Sequence, residues 1–146
     1  GFRYHMSNPH AAMGLAQLSK MDFITKSRRA GCELYSELLS KLDAVVLPTT
    51  RFDEVVPFLF YIRVGAKHRD RLRTHLLDNG IDTRIHWQPG HHFSLFSGAR
   101  AGDLSVTDKV ASEVISLPLH SGMAPDTISL ICEKISDFFK QKNVNF

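Results

Sequence analysis

Apolar residues recur at helical spacing through the first forty positions: Ala12, Leu15 and Leu18, then Phe23, Ala30, Leu34 and Leu38. Lys20, Lys26, Arg28, Arg29, Glu33 and Glu37 fall largely off that stripe. Asn8-Pro9 is a start signal, because asparagine can cap and proline lacks only an N–H that the first turn leaves unpaired. The pattern predicts one helix of about 34 residues, on the order of 50 Å long. Gly14 and Gly31 each cost it about 1 kcal/mol against alanine, which suits positions where another element approaches closely.

Positions 43–46 read as a short strand ended by Pro48-Thr49-Thr50. Positions 55–64 are dense in β-branched and aromatic residues and form the best strand candidate, with Pro57 confining the early part to an edge or bulge. Positions 67–79 predict a helix with Leu72, Leu76 and Leu77 inward and Gly80 as a left-handed terminator. A second strand is expected over 81–87, then an irregular loop over 88–103 around Pro89 and a His-Phe cluster. Thr107 is placed to cap a short helix through Ile115. Leu117-Pro118-Leu119-His120 then runs extended, since a residue before proline avoids the helical region. The last helix starts near Pro125-Asp126 and turns Ile128, Ile131, Ile135, Phe138 and Phe139 inward. Helices and short strands alternate irregularly, so the expected fold class is α+β, an α/β two-layer sandwich with a small sheet, in a single domain over 1–146.

Composition adds compartment and excludes some partners. A chain of 146 residues, 43% of them hydrophobic, buries enough surface to need no staples. Its two cysteines, Cys32 and Cys132, lie far apart and make neither a disulfide framework nor a zinc ribbon. Two buried free thiols in a reducing cytoplasm are expected. No apolar run nears the roughly 20 residues of a bilayer span, and the first residues lack a signal-peptide core, so membrane insertion and secretion are not expected. The formal charge of +3 implies nucleic acid only if it is clustered. Between positions 63 and 84, six basic residues (Arg63, Lys67, Arg69, Arg71, Arg73, Arg84) face three acidic ones (Asp70, Asp78, Asp82), which equals the whole excess. Such a patch attracts phosphates of a nucleotide or nucleic acid. A solvated helix face is the plainer reading, and no aromatic RNA-binding motif interleaves with it, so nucleic acid is not an expected partner.

Eight histidines are present, three of them (His86, His91, His92) close together. Their spacing matches neither an HExxH helix nor a Cys/His finger, and no carboxylate stands beside them in a ligand pattern, so a polar binding loop is expected and a metal site is not. There is no GxSxG elbow and no Gly-rich phosphate loop, and both cysteines sit in helical patterns where a thiol packs as a small hydrophobe. No catalytic residue is assigned. The opening Gly1-Phe2-Arg3-Tyr4-His5-Met6-Ser7-Asn8 sets aromatics, a cation and an imidazole ahead of a helix, as a segment that packs onto or reaches into something else.

That opening, followed by Ala11-Ala12-Met13-Gly14-Leu15-Ala16-Gln17-Leu18, resembles a stretch of the DegT/StrS-type sugar aminotransferases, pyridoxal-phosphate enzymes of fold-type I. Two later stretches resemble the same family in order and spacing. One is Gly80-Ile81-Asp82-Thr83-Arg84-Ile85-His86-Trp87-Gln88-Pro89-Gly90-His91, and the other is Leu117-Pro118-Leu119-His120-Ser121-Gly122-Met123. Gly90 stands where relatives usually have leucine, and Ala124 where they have a serine cap.

The resemblance implies the family's small C-terminal domain, with a long N-terminal helix, a small mostly antiparallel sheet and a C-terminal amphipathic helix. Residues 1–8 would be an arm. The pyridoxal-phosphate-binding large domain, with its Schiff-base lysine, is expected to be absent from these residues, so the isolated chain should bind no cofactor and should not transaminate. Arg3 and His5, at positions where relatives commonly have asparagine and arginine, would reach the cofactor phosphate or substrate of a neighbouring subunit. His86, Trp87 and His91 would touch a nucleotide-sugar substrate. The implied partners are a second copy in a dimer or a separate large domain. The alternative is a standalone module, derived from that family, that binds or self-associates without catalysis.

Overall fold

The computed structural model describes residues 4–142, so Arg3 lies outside the described residues. The long N-terminal helix is two helices, α1 (Asn8–Leu18) and α2 (Met21–Leu39). At the junction the Lys20 N–H turns back to the Gln17 carbonyl, and the Ser19 hydroxyl donates to the Ala16 carbonyl at 3.0 Å. Hydroxyl back-bonding and a tightened last turn end the first helix, neither of which apolar periodicity reports. Pro9 occupies the first turn as expected, but Ser7 is the N-cap residue. Its hydroxyl meets His10 Nδ1 at 2.8 Å in place of a backbone N–H.

The expected stripe also divides. No residue of α1 is buried, and Met13, Leu15, Leu18 and Phe23 are 64–69% exposed. On α2 the buried line is Gly31, Cys32, Tyr35 and Leu39, with Leu34 and Leu38 packed against its flank. Gly31 is the close approach: a Cβ there would lie 3.1 Å from Leu119 Cδ1 and 3.5 Å from Ile128 Cδ1, where α2 crosses the last helix.

The sheet has three antiparallel strands in the order β1 (Val45–Val46), β2 (Phe60–Val64), β3 (Val114–Leu117). Phe60, Ile62 and Val64 alternate into the core while Tyr61 and Arg63 face the other way. The core lies between the sheet and α2, α3 (Ala66–Asp78) and α5 (Pro125–Lys142). Leu72 and Leu76 of α3 and Ile128, Ile131, Ile135 and Phe138 of α5 fill it, each burial contributing roughly 1.5–3 kcal/mol. A fifth helix, α4 (Ser105–Glu113), sits on the opposite side, against β2 and α3. The result is the α+β fold expected, with a small antiparallel sheet, although α4 adds a helix on the face away from the core.

Several segments depart from their expected form for local reasons. Positions 55–59 are not strand: Arg29 Nε donates to the Val55 carbonyl, and Arg28 Nη1 donates to the carbonyls of Pro57 and Phe58, so α2 takes acceptors a ladder would have used. The strand expected over 81–87 shrinks to one bridge, Arg84 with Ser116 on the free edge of β3. Positions 114–115 are strand rather than the end of a helix from Thr107. The helix starts at Ser105, whose N–H bonds to Asp103 Oδ1 at 2.9 Å, a bond that lowers the Asp103 pKa. Leu77 is 62% exposed rather than inward, because Leu72 and Leu76, four apart, already define the core face of α3.

Two local expectations hold. Gly80 ends α3 at φ +76°, with its N–H on the Leu77 carbonyl and the Ile81 N–H on the Leu76 carbonyl. Cys32 and Cys132 are free and buried, and burial pushes both thiols up to about 12, so they stay protonated and poorly nucleophilic at neutral pH.

Candidate functional site

The half-buried face of β2 opens onto a groove of about 500 Å3. Tyr61 and Arg63 form its floor, Val106, Thr107, Val110 and Ala111 of α4 one wall, and His86, Trp87 and Pro89 the other. The alternation of β2 places the floor residues. The bridge at Arg84 fixes the chain just before His86 and Trp87, whose shared peptide bond is cis. Trp87 is 65% exposed and stacks on the equally exposed Phe58, centroids 6.0 Å apart and planes 22° apart. His86 packs on the Trp87 edge at 5.2 Å.

Charge in the groove is already organised. Arg63 Nε and Nη2 both donate to Glu113 Oε2, at 3.0 and 2.6 Å, tying the end of α4 to the sheet. Elsewhere in the basic cluster Arg84 pairs with Asp82 at 2.6 Å, and Arg73 Nη2 donates to the Thr83 carbonyl. Arg69 pairs with the neighbouring Asp70 at 2.8 Å, so four of the six clustered cations are engaged within the chain.

Behind His86 lies a second cavity of about 200 Å3, bordered by Phe58, Asp82, Arg84, Ser116 and Leu117. His86 Nδ1 and Ser116 Oγ are buried at its edge without a hydrogen-bond partner among the described residues.

The structure brings His86 and Trp87 together and sends His91 elsewhere. Past Gly90 the chain turns, and His91 Nε2 meets Asp108 Oδ1 at 2.7 Å outside the groove. His5 is exposed in the irregular segment before α1. Sequence reasoning missed Tyr61, took Arg63 only as one of a basic cluster, and missed the α4 face and Glu113, which braces Arg63 from beside the groove. Alternation along β2 carried a signal for the first two. Nothing local carried one for the others.

The sequence profile of the DegT/DnrJ/EryC1/StrS aminotransferase family matches residues 1–136. The chain belongs to that family. It is 27% identical over 142 residues to the GDP-perosamine synthase of Escherichia coli O157:H7, covering 97% of this chain and 39% of that enzyme. The fold superposes on NtdA from Bacillus subtilis with bound cofactor PMP at a TM-score of 0.86, with 26% identity over 96% of this chain and 34% of that one. On S. venezuelae DesV, in complex with a ketimine intermediate, the TM-score is 0.81 with 28% identity, covering 88% and 35%. The chain therefore spans about two fifths of the length of the family members it matches. No helix among the described residues is long and apolar enough to cross a membrane.

Family membership implies pyridoxal phosphate in the full-length enzymes, and the fit of the cofactor to these residues can be tested on their lysines. A Schiff-base lysine works from a desolvated or cation-flanked pocket. Lys20, Lys26, Lys41, Lys67, Lys109 and Lys140 are exposed, and Lys134 lies 3.9 Å from both Glu133 and Asp137. None of them lines either cavity. The described lysines do not fit that role.

Proposed function

We propose that this chain is the C-terminal, substrate-covering part of a pyridoxal-phosphate-dependent nucleotide-sugar aminotransferase, with the lysine-bearing large domain supplied by another stretch of polypeptide. In the assembled enzyme an amino group would pass to a keto sugar nucleotide. The carrying observation is the end-to-end match to about two fifths of such enzymes, combined with lysines that do not suit the cofactor. The exposed apolar residues of α1 support a missing partner surface, either the large domain or a second copy in a dimer, with Arg3 and His5 reaching across to the phosphate. The coding DNA upstream of Gly1 tests the proposal. An open frame long enough for a further domain (roughly 100–200 residues or more), with a cofactor lysine, is expected. A start codon at this position with no such frame would favour a standalone binding module.

His86 and Trp87 are assigned to the nucleotide-sugar. Two exposed stacked aromatics offer a flat face for a ring. The buried His86 Nδ1 and Ser116 Oγ would each gain a hydroxyl partner, relieving a cost of about 1–3 kcal/mol per unpaired group. Trp87 is the only tryptophan, so its fluorescence reports on this site directly. Titration with GDP- and UDP-linked sugars is expected to quench it saturably, and Trp87→Ala, followed by calorimetry, to weaken binding about tenfold or more, as loss of a stacking platform does. Unquenched emission at millimolar ligand would remove Trp87 from the substrate site. His91, turned away from the groove, would contribute only through the position of the 88–92 loop.

A further inference from the structure

Outside the groove, three side chains from two segments converge on one point. His91 and His92 sit on the single 3-10 turn Gly90–His92, and Asp108 lies in the first turn of α4. His91 Nε2 and His92 Nε2 approach the same oxygen, Asp108 Oδ1, at 2.7 and 2.8 Å. The two rings stand edge to face with centroids 4.4 Å apart. All three donor atoms lie within 4.8 Å of one another. As hydrogen bonds, these contacts require both imidazoles to carry a proton on Nε2 and to aim it at a single oxygen. With both Nε2 atoms deprotonated, the same arrangement presents two lone pairs and an anionic oxygen to one cation.

The donor set selects the class of ion. Two imidazoles and one carboxylate suit borderline divalent metals such as Zn2+ or Co2+, whereas Mg2+ and Ca2+ take oxygen ligands. Zinc binds imidazole nitrogen and carboxylate oxygen at about 2.0–2.2 Å, so tetrahedral ligand atoms stand roughly 3.3 Å apart. To admit the ion, each His–Asp108 separation opens by about 0.5 Å and the two ring nitrogens settle to the same spacing from one another; the Asp108 side chain is half exposed and free to adjust. Neither thiol can compete, since Cys32 and Cys132 are both in the core.

We propose that His91, His92 and Asp108 form a three-ligand site for a Zn2+-class divalent cation, with a solvent-facing fourth position, that clamps the 90–92 turn onto α4. Pro89, the residue before that turn, belongs to the groove wall, so the ion would hold the groove's rim in place. The site is independent of the function proposed above.

The test uses the tag-free 146-residue chain, stripped with chelator and titrated with Zn2+, Co2+ and Mg2+ against a chromophoric competitor. About one equivalent of Zn2+ is expected to bind, and Tm to rise by about 5–10 °C at hundredfold excess over Kd. Co2+ should compete, and Mg2+ should have no effect. Asp108→Asn, which keeps the side-chain shape, and His92→Ala are each expected to weaken binding by about tenfold or more. His10→Ala, an exposed histidine elsewhere, should leave it unchanged. Zinc affinity unaltered in Asp108→Asn, equal loss in His10→Ala, or no saturable binding at stoichiometric concentration would each overturn the site.

Discussion

Tyr35→Ala is expected to lower the unfolding free energy by about 4 kcal/mol, and Tyr35→Phe by about 1–2 kcal/mol. The ring is fully buried on the core face of α2 and stacks on Phe60 of β2, centroids 4.9 Å apart and planes 13° apart. Phe52 also packs on Phe60, centroids 5.9 Å apart and planes tilted by 40°, so the tyrosine belongs to a three-ring cluster joining helix, strand and loop. Truncation removes the transferred ring surface and leaves a cavity that rings on a strand cannot collapse to fill. The hydroxyl adds a separate contribution by donating to the Pro118 carbonyl at 2.9 Å, which pins the segment after β3. Burial pushes this hydroxyl well above its usual pKa, so it remains a donor at every pH in ordinary use. Against a typical domain stability of about 5–15 kcal/mol, the alanine variant loses a third or more of the margin. Urea unfolding checks both variants: the midpoint should fall with little change in slope. A Tyr35→Ala cost below about 1 kcal/mol would contradict the packing, and equal costs for the two variants would mean that the hydroxyl carries the whole effect.

Local rules read some of this fold well. The Ile128, Ile131, Ile135 and Phe138 spacing on α5 predicts its buried face, and Gly80 predicts the end of α3, because a 3.6-residue period and a positive φ are both local properties. They fail where two elements compete for one segment. Positions 81–87 have a strand-like composition, but only Arg84 pairs with the free edge of β3, whose other edge is taken by β2. Val114 and Ile115 continue the helical pattern begun at Ser105 and are taken instead by the sheet. The break between α1 and α2 depends on a serine hydroxyl and one shortened turn, which hydrophobic spacing does not encode.

The candidate site was legible only in part, for the same reason. Motif resemblance singles out His86 and Trp87, and the structure sets them side by side in a groove. The opposing Arg63, Glu113 and α4 face come from positions far along the chain, and their pairing is a product of packing. Asp108 is a clearer case. No carboxylate stands near the histidines in sequence, and Asp108, the co-ligand we propose for them, lies sixteen residues beyond His92 and is brought back by α4.

The Arg63–Glu113 pair holds the groove's floor to its wall, and Glu113→Leu is expected to cost about 2 kcal/mol. Removing one partner of a fully buried ion pair costs about 3–5 kcal/mol because a charge is stranded. The two side chains are 30% and 14% exposed, so water recovers part of that for the guanidinium, which sets the lower figure. The pair itself need not be a net gain. Replacing both residues, as Arg63→Met with Glu113→Leu, should cost less than the single change, with a coupling energy of about 1–2 kcal/mol in the double-mutant cycle. Strict additivity would show that the two side chains do not hold one another. The same four proteins separate architecture from recognition. If Arg63 only braces α4, the apolar double variant should recover both stability and the quenching of Trp87 by nucleotide-sugar. If its guanidinium also meets the ligand's diphosphate, stability returns while binding stays weak, because methionine can fill the space but cannot donate to a phosphate.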